Sequence, residues 1–344
     1  MTREGRAAPY ADRMPQQLLV ITNARAGSAD NQAVNDALTV LREEAWVEVR
    51  GTGDLDELAD ALRETGGRTI VVAGGDGSLH AVVQTLHGLG ELTGRTLGLL
   101  PLGTGNDFAR SLGIPRSARR AARVILDGAA RATDLVVDDE ERVTVNNVHI
   151  GAGAEAGERG ARWKARLRRL SDIVGIGPVG LGPVNLGPLG LGAARIGPAN
   201  LGRLGYPIGA LQTAIYPPTL RLRIEVDGEV VVESDEEVLM VAVGNGATVG
   251  GGLALTPDAD PHDGLLDVLV ATPVTLLDQI EYLVHLTSGS HESYARAGIV
   301  RGRSVTVSGT PFDCNSDGEL DGPVSERTWR VLPAAYAMVV PASP

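Results

Sequence analysis

The chain has 344 residues, room for two cores at ~150 residues per domain. Its 43% apolar and 22% charged residues are a globular composition that excludes a disordered tail or a collagen-like fibre, and with only 3% aromatics the cores must be built from Leu, Val, Ile and Ala. A net charge of −12 opposes coating of nucleic acid, and because Lys164 is the sole lysine, phosphate chemistry falls to arginine or backbone N–H groups and a Walker lysine is excluded.

The opening residues, MTREGRAAPYADRMPQQ, lack the apolar stretch of a secretory signal. No charge-free apolar run of ~20 residues has the character of a spanning helix, since the nearest candidate is broken by Gly and Pro. Cys314 stands alone, which rules out an intramolecular disulfide or a thiolate zinc cluster and fits a reducing compartment. A cytoplasmic protein is expected.

From residue 18 the pattern alternates between two periods. Residues 18–21 (LLVI) read as a strand; Ala33, Val34, Ala37, Leu38 and Leu41 recur at helical spacing; residues 47–49 are extended. The run DLDE at 54–57 opens a helix with acidic residues where its dipole favours them. A strand at 69–73, a helix at 79–89 capped by Ser78, a strand at 96–100 and a helix at 107–112 follow, so four strand–helix units predict a parallel, doubly wound sheet. After a helix around Arg119, Arg120, Val124 and Ile125 the pattern turns extended near Asp134. A hairpin at 220–232 turns at Asp227-Gly228, and strands follow at 238–243, 265–270, 305–308 and 329–332, with a helix inserted at 276–286.

Residues 176–205 fit neither half. They repeat every five residues (IGPVG, LGPVN, LGPLG, LGAAR, IGPAN, LGRLG), a period matching neither helix nor strand, with Pro and Gly opposing both. A low-complexity apolar loop, a turn of β-solenoid and a lipid-facing segment are the readings open to it. Upstream, Arg159, Arg162, Lys164, Arg166, Arg168 and Arg169 form a basic stretch, read as a solvated helix face or as a dock for anionic headgroups.

Three turns carry the chemistry. VVAGGDGSL at 71–79 is a strand running through a Gly-rich turn into a helix, whose first N–H groups form an anion site that backbone can approach closely. PLGTGNDFAR at 101–110 is a second such turn after the next strand, and NARAGS at 23–28 is a third after the first strand. All three fall at the carboxyl ends of the parallel strands, where ligands bind in such sheets, so a nucleotide or phosphate site is expected there. Later, SDGE at 316–319 offers the carboxylates of Asp317 and Glu319 around a tight bend, and Asp258, Asp260, Asp263 and Asp267 surround a Gly-containing turn suited to Mg²⁺ or Ca²⁺, or simply to solvent. The six histidines show no zinc spacing and are expected in ordinary structural roles.

GGDGS together with PLGTGNDFAR and the late SDGE resembles the diacylglycerol kinase catalytic-domain family of bacterial lipid kinases and sphingosine kinases, within a superfamily that includes NAD kinase. The resemblance spans nearly the whole chain apart from the repeat. It implies a doubly wound α/β domain at 16–137, rejoined by 333–344, and an antiparallel β-sandwich at 138–332, with the active site in the cleft between them. It further implies transfer of the γ-phosphoryl group of ATP to a lipid hydroxyl, with Mg²⁺ as cofactor. By that similarity Asn23, Gly27, Thr52, Gly74, Gly75, Asp76, Gly77, Ser78 and Thr104 hold the nucleotide, and Asp76 is essential through Mg²⁺ or by fixing its loop. Asp107, Arg110 and Asp134 match positions near the transferred phosphate and the acceptor. Asp317 and Glu319 act on the acceptor hydroxyl, with the proton acceptor of the two left open. A structural Mg²⁺ is implied at Asp263, with backbone carbonyls at Asp260 and Leu265.

The expected partners are a lipid at the inner face of a membrane, which the chain would meet as a peripheral protein, and a second copy of the chain; no nucleic acid is expected. A kinase for a soluble acceptor, NAD or a sugar phosphate, and a non-catalytic nucleotide sensor are the rival functions. The chain departs from the family where the repeat replaces its usual helical or loop segment, and at 146–154, where an aromatic residue is usual. Both changes bear on the acceptor side.

Overall fold

A computed structural model describes residues 15–23, 28–151, 220–273, 275, 278, 279, 281, 282, 285, 286 and 289–342. The five-residue repeat, the basic stretch and Gly27 lie outside them. The N-terminal half runs β1 (Gln16–Asn23), α1 (Ser28–Leu41), β2 (Ala45–Thr52), α2 (Leu55–Arg63), β3 (Thr69–Gly74), α3 (Asp76–Gly88), β4 (Thr96–Pro101), α4 (Asp107–Ser111) and α5 (Ala118–Asp127). The strands pair in parallel in the order β2-β1-β3-β4. Leu18, Val20, Ile70, Val71, Leu97 and Leu100 are fully buried, as expected of parallel strands covered on both faces. Local chemistry sets the helix starts. Asp54 caps α2 by accepting the Glu57 N–H at 2.9 Å. In α3, however, the N-cap is Gly75 and not the expected Ser78, so Asp76 and Gly77 belong to the helix's first turn.

Connections from β1 and β3 leave in opposite directions, to β2 on one side and β4 on the other. This topological switch opens a crevice beyond the carboxyl ends of β1 and β3. Asn23, paired with Thr52, and Gly74, paired with Pro101, mark that edge.

The second half continues through β5 (Ala129–Asp138), β6 (Val143–Thr144), β7 (Asn147–Gly151), β8 (Leu220–Val226), β9 (Glu229–Val232), β10 (Glu237–Val238), β11 (Met240–Gly244), β12 (Thr248–Val249), β13 (Leu253–Ala254), β14 (Leu266–Ala271), β15 (Ala297–Gly302), β16 (Ser304–Ser316) and β17 (Glu319–Val340). Pairings around β7, β11, β14, β15 and β16 are antiparallel, and the chain is an α/β domain followed by a mostly antiparallel β-sandwich. Asp227 and Gly228 turn the β8–β9 hairpin, both at positive φ (51° and 85°). The expected 238–243 strand breaks into β10 and β11, and the described positions within 278–286 are helical.

The halves share one sheet through β17. Its first part pairs with β16, while 336–340 pairs antiparallel with β5 and, at Ala337 and Met338, parallel with β4. The register shifts between Leu332 and Tyr336, where Ala334 sits at φ 52°. Separate apolar cores lie under the two halves, one of Leu, Val, Ile and Ala around β1, β3 and β4, the other mostly Val around Trp329 and Phe312. Among the described residues no helix is long and apolar enough to cross a membrane.

Candidate active site

The two Gly-rich turns are packed backbone to backbone. A Cβ on Gly75 would lie 3.0 Å from the Gly103 Cα, and one on Gly103 only 2.6 Å from the Gly75 Cα. Leu102 N–H donates to Gly74 O at 3.0 Å, and Asn106 Nδ2 donates to Gly103 O at 2.5 Å. Only hydrogen at these Cα positions permits such an approach. By contrast, Gly77 is exposed at the first turn of α3, and a Cβ there would meet nothing within 4 Å. Among the described residues nothing covers the α3 N-terminus at the crevice, as an anion site requires.

Asp76 joins the turns a second time. Its Oδ2 accepts the Asp107 N–H at 3.1 Å and its Oδ1 the Phe108 N–H at 3.2 Å, so it serves the orphan donors of α4 that Asn106, in left-handed conformation, does not cap. Burial raises the Asp76 carboxyl above the usual range, and the neighbouring Asp107 and Asp317 carboxylates add to the rise against the two N–H groups. Each Asp76 oxygen keeps a lone pair beyond its one N–H bond. Asp76 would hold a divalent cation that relieves this crowding, since Mg²⁺ is commonly held by one or two carboxylates plus phosphates. Asp76 therefore fits a divalent ion that arrives with the nucleotide, which would neutralise phosphate charge there. Among the described residues, no three His, Cys, Asp or Glu side chains form a protein-only metal cage.

Asp107 and Arg110 bridge the domains. Asp107, 6% exposed, accepts the Gly251 N–H at 2.8 Å and the Thr248 hydroxyl at 3.3 Å. Arg110 donates to the carbonyls of Gly105 and Gly251 at 3.3 and 3.2 Å. The short α4 is thus pinned to the β12 turn of the sandwich. Asp134, 2% exposed on β5, accepts the Gly264 N–H at 2.7 Å and the Ala334 N–H at 2.8 Å. Its two oxygens stitch the 257–267 loop and the β17 bulge to β5.

Across the cleft from α3 sits the turn between β16 and β17. Asp317, its side chain 2% exposed, accepts four hydrogen bonds: Val145 N–H at 2.6 Å, Asn146 N–H at 2.9 Å, Asn147 N–H at 3.1 Å and His80 Nδ1 at 2.9 Å. Glu319 is exposed. His80, expected in an ordinary structural role, is hydrogen-bonded to the Asp317 carboxylate. Its signal is that Asp76, His80 and Gln84 follow at four-residue spacing on one face of α3, a pattern legible only once the helix is known to start at Asp76. Gln84 Oε1 accepts the Val143 N–H at 2.9 Å, so the same face holds β6 and the segment that clamps Asp317.

In the acidic loop, where a structural Mg²⁺ is expected, the Asp263 and Asp260 groups have protein partners. The Asp263 carboxylate is paired with Arg301 and accepts the Leu265 N–H at 3.0 Å, and the Asp260 carbonyl accepts the Asp263 N–H at 3.3 Å. The Asp260 side chain reaches Arg131 at 3.5 Å, and Asp267 lies 3.3 Å from Arg301. Of the nucleotide candidates, Asn23, Thr52, Gly74, Gly75, Asp76, Gly77, Ser78 and Thr104 all stand at the carboxyl edge of the parallel strands or in its turns.

Residues 17–137 match the model of the diacylglycerol kinase catalytic domain, and residues 193–340 that of the YegS C-terminal NAD kinase beta sandwich-like domain. Curated proteins named "Probable lipid kinase YegS" from Salmonella dublin and Salmonella typhimurium are each 31% identical over 339 residues, covering 95% of this chain and 96% of theirs. A solved diacylglycerol kinase structure from Bacillus anthracis str. Sterne superposes with a TM-score of 0.64 at 18% identity, and a second structure from that organism with 0.70 at 21%. Each covers 95% of this chain and 97% of the other, and at such identity the likeness concerns the fold.

Proposed function

Because the chain belongs to the diacylglycerol kinase catalytic-domain family, whose curated relatives are named lipid kinases, we propose that it transfers the γ-phosphoryl group of ATP to a lipid hydroxyl, diacylglycerol being the first acceptor to test. The observation that carries this reading is the convergence across one cleft of two interlocked Gly-rich turns, the Asp76 carboxylate and the Asp317 turn.

Phosphoryl transfer is chiefly positioning and charge neutralisation. The α3 N-terminus and the turn backbones supply donors for the phosphates, and Asp76 holds the PLGTGN turn in register while fitting a divalent ion that accompanies the nucleotide. Asp107 and Arg110 fix the sandwich against the nucleotide domain, which holds the β16–β17 turn with Asp317 and Glu319 beside α3.

The test is transfer of label from γ-labelled ATP to a panel of lipids in mixed micelles, with and without Mg²⁺. Label in one lipid class, lost with Asp76→Asn, is expected. ATP binding without label in any lipid would overturn the lipid acceptor and shift the reading to a soluble acceptor or a nucleotide sensor.

A further inference from the structure

We propose, resting on the phosphotransferase reading above, that His80 and Asp317 form a dyad in which the imidazole Nε2, and not the Asp317 carboxylate, takes the proton of the acceptor hydroxyl. Asp317 is engaged on every side. Each carboxylate oxygen has about two lone-pair directions, and Oδ1 is taken by the N–H groups of Asn146 and Asn147, Oδ2 by that of Val145 and by His80. A hydroxyl that gave its proton to Asp317 would have to displace one of these short bonds.

His80 has the capacity that Asp317 lacks. Facing a carboxylate that only accepts, Nδ1 must be the donor, which fixes the neutral tautomer with its lone pair on Nε2. Nε2 has no hydrogen-bond partner among the described residues and is not a buried orphan, and the side chain is 18% exposed. The ring stands one helical turn beyond Asp76, on the same face of α3. It borders a cavity of about 90 Å³ that Glu319 also lines. Nucleophile activation elsewhere uses the same division of labour, a histidine base oriented by a buried carboxylate.

The charges around the ring come from several elements: Asp317 and Glu319 from the β16–β17 turn and, lining the same cavity, Asp138 from β5, Arg142 ahead of β6, and Asp321 and Arg327 from β17. The two arginines are already paired with Asp138, Glu140 and Asp321, so the surroundings favour a cationic ring. Burial is the largest single influence and lowers the imidazole pKa, but the hydrogen bond and charge of Asp317, with Glu319, outweigh it and raise the group above 6.5.

In the step itself, the hydroxyl oxygen forms a bond to the γ-phosphorus while the bond from that phosphorus to the β–γ bridging oxygen breaks, and ADP leaves with the electron pair. The hydroxyl proton passes to Nε2. The resulting imidazolium is stabilised by Asp317 and returns its proton to solvent.

The test compares wild type with His80→Asn, His80→Ala and Asp317→Asn, scoring lipid phosphorylation and ATP hydrolysis in the same samples between pH 5.5 and 9. Wild-type kcat should climb with pH to a plateau with a midpoint above 6.5. His80→Asn should lower kcat by about 10²–10⁴-fold, remove that limb and leave the KM for ATP unchanged, and added imidazole should restore turnover to His80→Ala. A His80→Asn enzyme that melts like wild type and keeps kcat within about threefold, with its pH limb intact, overturns the dyad. If wild type hydrolyses ATP but labels no lipid, the lipid reading fails by itself, and the same His80 comparison on hydrolysis still decides the dyad. Independently of turnover, the His80 ring resonances, assigned by their loss in His80→Asn, should titrate with a midpoint that falls in Asp317→Asn. A midpoint unmoved by that substitution overturns the proposal.

Discussion

Replacing Gly103 by Ala would place a methyl carbon 2.6 Å from the Gly75 Cα and 2.9 Å from Asn106 Oδ1. Carbon atoms in contact rest ~3.5–4.0 Å apart, so the two Gly-rich turns would have to separate by roughly 1 Å, against backbone that no rotamer change can move aside. Overpacking of this kind costs about 1–3 kcal/mol, and at ~2–4 °C per kcal/mol the melting temperature should fall by roughly 2–12 °C. A displacement of ~1 Å in a positioning site costs on the order of 10²-fold in rate, so kcat should drop together with stability. Gly77→Ala is the matched contrast: its Cβ meets nothing within 4 Å, so the fold should melt with wild type, while the methyl intrudes on the space in front of the α3 N-terminus and weakens ATP binding. Differential scanning calorimetry and titration of ATP onto the three proteins check both halves. A Gly103→Ala protein that melts with wild type, or a Gly77→Ala protein that is clearly destabilised, would refute the interlocked-turn account.

Two further outcomes follow from buried groups. His149 is buried, and desolvation outweighs the attraction of Asp317 to lower its imidazole to about 4; its folded pKa lies below the unfolded value, so stability present above pH 6.5 is lost as pH falls toward 4, by roughly 3 kcal/mol. Chemical denaturation at stepped pH should show that acid limb, flattened in His149→Leu. Asp134→Ala strips the acceptor from the Gly264 and Ala334 N–H groups and should cost about 1–3 kcal/mol, with the KM for ATP unchanged; a wild-type melting temperature alongside a raised KM would return Asp134 to the phosphate site.

Apolar runs, helical spacing and turn residues are local properties, and they suffice to announce the four strand–helix units, the Asp54 cap, the Asp227-Gly228 hairpin and the three turns at one sheet edge. GGDGS, PLGTGNDFAR and SDGE likewise name the family from residues close together in the chain. Tertiary structure alone decided what those carboxylates do. Asp76 caps α4, Asp134 holds a bulge, Asp263 pairs with Arg301, and His80 meets Asp317 from 237 positions away. A side chain's type shows that it can accept a hydrogen bond, but which donor reaches it is settled by strands such as β17, which runs through both domains and brings distant turns into one cleft. Spacing in the chain carries no trace of such long-range pairing, because the free energy that selects it comes from burial and backbone pairing over the whole sheet.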